Sequence, residues 1–143
     1  MVNNNRVLKL LEDYKEWKIE CYECLSEIES NENEKIKKLL FHSMRAYFLD
    51  FHILCEDFIS ISLKELNKFK IGISAIDGME LINKSEYVSE DFFKFYLVSR
   101  KLRNRLAHRY KLPKDLELIN NLRNNINNIN ELELAISKLI NIN

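Results

Sequence analysis

Apolar residues recur every three or four positions through Val7, Leu10, Leu11, Tyr14, Trp17, Cys21, Cys24, Leu25 and Ile28. That interval draws one stripe along an α-helix and predicts a first amphipathic helix. Ser30-Asn31-Glu32-Asn33 interrupts it. A longer stripe follows through Ile36, Leu39, Leu40, Ser43, Tyr47, Leu54, Phe58 and Ile61, widened by Met44, Phe51 and Ile53. The two helices are expected to pair antiparallel, as a short connection requires.

Phe69 to Ser74 contains Gly72 and reads as a connection to a short helix holding Ile76, Met79 and Ile82. Asn83 to Ser89 is polar enough for a loop. Ser89 can cap a fourth helix, with Glu90 and Asp91 in the first turn, where the helix dipole favours negative charge. Its stripe is Phe92, Phe95, Tyr96, Ser99, Leu102 and Leu106, and Pro113 predicts an end near Tyr110. Asp115 can cap one last helix through Leu116, Ile119, Leu122, Ile126, Ile129, Ile136 and Ile140. The expected fold is all-α: an antiparallel bundle of four principal helices and one short one, in a single domain spanning 1–143.

Composition sharpens this picture. Two glycines and one proline in 143 residues leave little punctuation for hairpins. With 46% apolar residues, the chain can bury a core without metal or disulfide support. Three cysteines are an odd number, which speaks against a disulfide framework. Cys21 and Cys24 make a Cys-x-x-Cys with no second pair, so these two and Cys55 are expected to be small core residues rather than metal ligands. His42 and His52 have no motif around them and are assigned structural places. The asparagine-rich run Asn120–Asn130 is given no role. Met1 to Arg6 is polar and no apolar run approaches a membrane span, so the expectation is a soluble, cytoplasmic protein.

Charge changes the picture at one place. The chain carries 22 Lys and Arg against 22 Asp and Glu, so no global field draws it to nucleic acid. Locally the balance fails. From Phe92 to Lys114 there is no carboxylate, while Lys94, Arg100, Lys101, Arg103, Arg105, Arg109, Lys111 and Lys114 all fall inside. A solvated basic helix end is one reading of that patch; a phosphate-binding surface is the other.

Within it, Arg103-Asn104-Arg105-Leu106-Ala107-His108-Arg109-Tyr110 gathers three useful groups. A guanidinium can grip a phosphodiester with a planar fork of donors, an imidazole titrates near neutral pH, and a phenol offers a hydroxyl. On a regular helix Arg103 and His108 lie about 140° apart. His108 would occupy the last turn, whose unpaired carbonyls favour an imidazolium, and Asn104 would share its face one turn earlier. Glu56 and Asp57 on the second helix either orient a motif residue or belong to an exposed face.

The same eight residues resemble the Arg-x4-His-x-Tyr signature of HepT-like toxins of the HEPN superfamily, in its Arg-Asn-x-Leu-x-His-x-Tyr form. The helix from Ile36 to Leu66 is similar to the family's long second helix. Asp77-Gly78-Met79-Glu80-Leu81-Ile82 and Val88-Ser89-Glu90-Asp91-Phe92-Phe93 are similar to the elements that precede its motif helix. The resemblance runs from about Val7 onward and, outside the motif, rests on patterning.

This resemblance implies a metal-independent, cofactor-free endoribonuclease acting as a homodimer, with motif residues of both subunits lining one cleft. It also implies a toxin–antitoxin pair with a small MNT-type nucleotidyltransferase, which attaches adenylate to the motif tyrosine. Carried over, Arg103 and His108 are the catalytic pair, Asn104 and Tyr110 support them, and Tyr110 is the modification site. Arg100, Arg105, Arg109 and Lys111 are expected to attract RNA. A non-catalytic HEPN bundle that binds a nucleotide or a partner nucleotidyltransferase is the alternative.

Overall fold

A computed structural model describes residues 3–140 and, within them, every side chain but that of Arg109. The described residues are helical and contain no strand. In chain order the elements are α1 (Asn4–Ser30), α2 (Glu34–Glu65), α3 (Ala75–Lys84), α4 (Glu90–Leu106), a 3₁₀ turn (Arg109–Lys111), α5 (Asp115–Arg123) and α6 (Ile126–Ile140). This is a helical bundle, as the periodicity predicts. Among the described residues no helix is long and apolar enough to cross a membrane.

α1 follows its predicted stripe closely. Val7, Leu10, Tyr14, Trp17, Cys21, Cys24, Leu25 and Ile28 are all buried. Asn33 then caps α2, its side chain accepting from the Lys35 and Ile36 amides at 3.0 and 3.2 Å. Buried polar groups fix how α1 meets its neighbours, because each must find a partner once it leaves water. Tyr14 donates its hydroxyl to the Ile129 carbonyl on α6 at 2.6 Å, and Trp17 donates its indole N–H to the Tyr47 carbonyl on α2 at 2.8 Å. Tyr14, Trp17, Phe51, Phe95, Phe92 and Tyr96 continue as a chain of ring contacts through the core. Cys21, Cys24 and Cys55 are buried free thiols.

On α2 the inward face matches the predicted one in part. Met44, Phe51, Leu54, Phe58 and Ile61 of the predicted stripe are buried, joined by Phe48, Cys55 and Ser62, whereas Leu39 (68% exposed), Ile53 (56%), Ile36 (43%) and Ser43 lie outside the core. So many apolar residues populate this helix that several stripes fit its sequence. Which one turns inward is decided by the neighbours, α1 on one flank and α3, α4 and α5 on the other.

α3 begins where predicted and buries Met79 and Ile82. Gly78 lets it lie close to α2: a Cβ there would meet Ile59 Cγ2 at 2.6 Å and Leu63 Cδ1 at 3.3 Å. Ser89 caps α4 as expected, accepting from the Phe92 amide at 3.1 Å. Its own amide and hydroxyl donate to the Glu131 carboxylate on α6 at 2.8 and 2.5 Å. Phe92, Phe95, Tyr96, Ser99 and Leu102 then face the core.

Two boundaries depart from the sequence reading. α4 stops at Leu106 rather than near Tyr110, and the expected single last helix is two. The second break falls in the asparagine run. Asn125 donates its side-chain amide to the Asn121 carbonyl at 2.8 Å, and Asn128 donates to the Asn125 side chain at 3.0 Å. Such side chains compete with the backbone for its own partners and end helices, so the run has a structural role. Asp115 is the first residue of α5 instead of its cap, and its carboxylate accepts from Arg45 on α2 at 2.9 Å.

Candidate functional site

One buried polar contact helps hold α4 against α2. His52 on α2 is 1% exposed and places Nε2 2.8 Å from the Ser99 hydroxyl. Its ring packs against Phe48, Phe51 and Tyr96. Burial first, and then the Arg100 and Arg103 guanidiniums, lower its pKa from the ordinary value to about 3. His52 is therefore a neutral core residue, the structural place its lack of a motif suggested.

Beyond Ser99 the helix carries Arg100 and Arg103 toward the surface. Arg100 keeps only 13% of its side chain exposed and donates to Glu56 at 2.7 Å. Glu56 thus pairs across the helix interface with Arg100 although it is itself exposed, as Asp57 is. Arg103 is half-buried and donates to its neighbour Asn104 at 3.4 Å. Asn104 is exposed. Among the described residues no hydrogen bond joins Arg103 to His108.

The helical placement of His108 does not hold. Ala107 closes α4, and His108 has extended backbone (φ −123°, ψ 110°) as the residue before the 3₁₀ turn. It does not continue the last helical turn, and neither the 140° relation to Arg103 nor a shared face with Asn104 applies. Its backbone N–H still donates to the Arg105 carbonyl at 3.0 Å, and its carbonyl accepts from the Lys111 N–H at 2.9 Å. The turn brings His108 and Tyr110 together, with ring centroids 5.8 Å apart. Both are exposed, Tyr110 to 81%. Lys111 Nζ stands 5.5 Å from the Tyr110 ring, within cation–π range. Arg109 contributes its place in the turn, and its side chain lies outside those described.

Arg105, one of the residues expected to attract RNA, is also engaged within the chain. Nε donates to the Lys111 carbonyl at 3.0 Å, and the two terminal nitrogens reach Glu117 on α5 at 3.4 and 3.5 Å. Glu117 also accepts from the Lys114 amide at 2.7 Å. One arginine and one glutamate thereby clip together both ends of the excursion that carries His108 and Tyr110. Glu117 was missed by the sequence reading. Its signal was present, since a glutamate three residues after a helix-entry position is half of a capping box.

The result is an exposed imidazole, phenol and ammonium on a clipped turn, with Arg103 and Asn104 on the helix that leads into it. A phosphodiester meeting this surface would find cationic donors and a titratable ring without first displacing a folded segment. Among the described residues no group of three or more His, Cys, Asp or Glu is placed to hold a metal ion. No family model, curated protein or solved structure matches this chain.

Proposed function

We propose that this chain is a metal-independent endoribonuclease, the toxin of a HEPN/MNT-type toxin–antitoxin pair. The observation that carries the reading is the Arg103-to-Tyr110 signature with His108 and Tyr110 on an exposed turn. In the proposed reaction the ribose 2′-oxygen attacks the adjacent phosphorus, His108 takes the 2′-hydroxyl proton, and Arg103 stabilises the charge that develops on the phosphorane oxygens. The 5′-oxygen leaves with a proton from a second histidine, giving a 2′,3′-cyclic phosphate and a 5′-hydroxyl. DNA lacks the attacking group.

With one motif histidine per chain, acid and base together require two chains, which makes a homodimer part of the reaction. Neutralisation follows from the position of Tyr110. Its phenol oxygen would attack the α-phosphorus of ATP held by an MNT-type nucleotidyltransferase, releasing pyrophosphate and leaving adenylate on the ring. That anion would sit beside His108 and Lys111 and repel an RNA phosphate.

Purified protein incubated with RNA in EDTA should give cyclic-phosphate ends, and His108→Ala should lose about 10²- to 10⁴-fold of that rate. RNA binding that persists in both proteins with no cleavage in either would replace the ribonuclease with a non-catalytic binding bundle.

A further inference from the structure

The asparagine run does more than divide α5 from α6. Asn121 on α5, Asn125 in the break and Asn128 on α6 form one wall of a cleft, and Asp91, Lys94, Phe95 and Val98 of α4 form the other. The volume is about 290 Å³. That is the small end of ligand pockets, room for one planar heterocycle rather than an extended molecule.

One part of the asparagine wall is tied and another is free. Asn125 is held at both ends: its Nδ2 donates to the Asn121 carbonyl at 2.8 Å and its Oδ1 accepts from Asn128 Nδ2 at 3.0 Å. The second bond fixes the sense of the Asn128 amide, whose own oxygen is left as an acceptor. Asn121 is different. It is only 9% exposed, and among the described residues its Oδ1 is sealed from water without a hydrogen-bond partner. A buried amide left unpaired lowers stability, so native structures rarely keep one. The residue is accounted for if its partner is a ligand that enters the cleft. An amide held by no side-chain bond can turn end for end, and so offers a donor or an acceptor beside the fixed acceptor of Asn128.

The remaining residues say what such a ligand carries. An amine next to a ring nitrogen satisfies an acceptor and a donor side by side, which is how asparagine reads adenine at N6 and N7. Val98, 56% exposed, and Phe95 give the ring an apolar surface. Lys94 is exposed and, among the described residues, in no ion pair, so its ammonium is available to a phosphate. Asp91, three residues earlier on α4, is an acceptor for a ribose hydroxyl. We propose that this cleft binds an adenine nucleotide, with the base on Asn121 and Asn128, the ribose at Asp91 and the phosphate on Lys94.

Two sources share that chemistry: a free nucleotide, and an adenosine within an RNA strand. Lys94, Lys101 and Arg105 follow at steps of seven and four, one flank of α4 that leads from the cleft to the clip between Arg105 and Glu117. Lys94 and Arg105 are about 16 Å apart along the helix. The cleft stands without the ribonuclease reading, whereas its occupation by a strand bound at the turn rests on it.

Isotope-labelled protein observed by NMR provides the test. AMP should shift the side-chain amide signals of Asn121 and Asn128 saturably, and UMP should bind at least about fivefold more weakly. Asn121→Leu should lose that preference without losing stability in urea, because it removes an unpartnered polar group. Lys94→Ala should weaken AMP severalfold and leave adenosine unchanged. The proposal is overturned if neither amide responds to AMP, if AMP and UMP bind equally, or if Asn121→Leu binds AMP as the wild type does. The comparison of AMP with UMP on the wild type decides even where the leucine variant folds poorly. An adenosine RNA hexamer, added to His108→Ala protein so that the strand stays whole, distinguishes the sources. Binding at least about tenfold tighter than AMP, with shifts that reach Lys101, assigns the cleft to a strand; binding no tighter than AMP assigns it to the free nucleotide. RNA cleavage by the wild type separates the two ideas. AMP binding by a protein that cuts no RNA keeps the cleft and loses the ribonuclease, and cleavage without any response to AMP does the reverse.

Discussion

His52 enters the core uncharged, and removing its ability to titrate should change how stability depends on pH. In the unfolded chain its imidazole takes up a proton as pH falls through about 6.5. In the folded protein burial, reinforced by Arg100 and Arg103, delays that to about 3. Between those values the unfolded state binds more protons, so stability rises with pH across the window. The contribution of the neutral ring is complete above the unfolded pKa and is lost as pH falls toward the folded one. The slope approaches about 1.4 kcal/mol per pH unit, or about 2 kcal/mol between pH 7 and pH 5. His52→Gln keeps an amide for the Ser99 hydroxyl and cannot titrate. Urea unfolding of both proteins at pH 5, 6 and 7 should show the wild type losing about 2 kcal/mol more than the variant over that interval, or roughly 6 °C in Tm. His42 and His108 are present in both and cancel. Parallel stability curves would mean that His52 is not held neutral in the core, and the account of how α4 is anchored would fail with it.

Three further outcomes follow from the geometry. Gly78→Ala should destabilise the protein by about 1–2 kcal/mol in thermal or urea unfolding, because overpacking against Ile59 exceeds the gain in helix propensity; a stabilised variant would show that α3 can move away freely. Glu117→Gln should speed deuterium exchange at the Lys111 amide severalfold, and unchanged exchange would mean that the Arg105 clip does not hold the turn. The Lys114 amide chiefly, and then Arg105, hold the Glu117 carboxyl below its ordinary range, so in the wild type the clip should persist at neutral pH and loosen only as acid titrates that lowered carboxyl. On the proposed ribonuclease reading, Tyr110→Phe should keep the wild-type rate of RNA cleavage yet gain no adenylate from an MNT-type nucleotidyltransferase by mass spectrometry, and a modified Phe variant would move the target to another side chain.

Helix existence, the cap at Ser89 and the inward face of α1 were all legible in the sequence, because each is a local property. Three-to-four spacing, a short polar side chain before an acidic first turn and a polar break need no knowledge of the rest of the chain. The motif was legible for the same reason, as eight consecutive residues. What escaped depended on distant partners. The rotation of α2 was open because its apolar residues support more than one stripe, and only packing against α1, α3, α4 and α5 turned Phe48 and Cys55 inward and left Leu39 and Ile53 outside. Pro113 signalled a helix end near Tyr110, not that α4 would stop earlier, at Leu106. Tertiary contacts set that point: Arg105 reaches across to Glu117, the intervening chain closes into a 3₁₀ turn, and His108 leaves the helix to stand beside Tyr110. The sequence thus determined which groups are available, and the long-range contacts decided which of them share a surface.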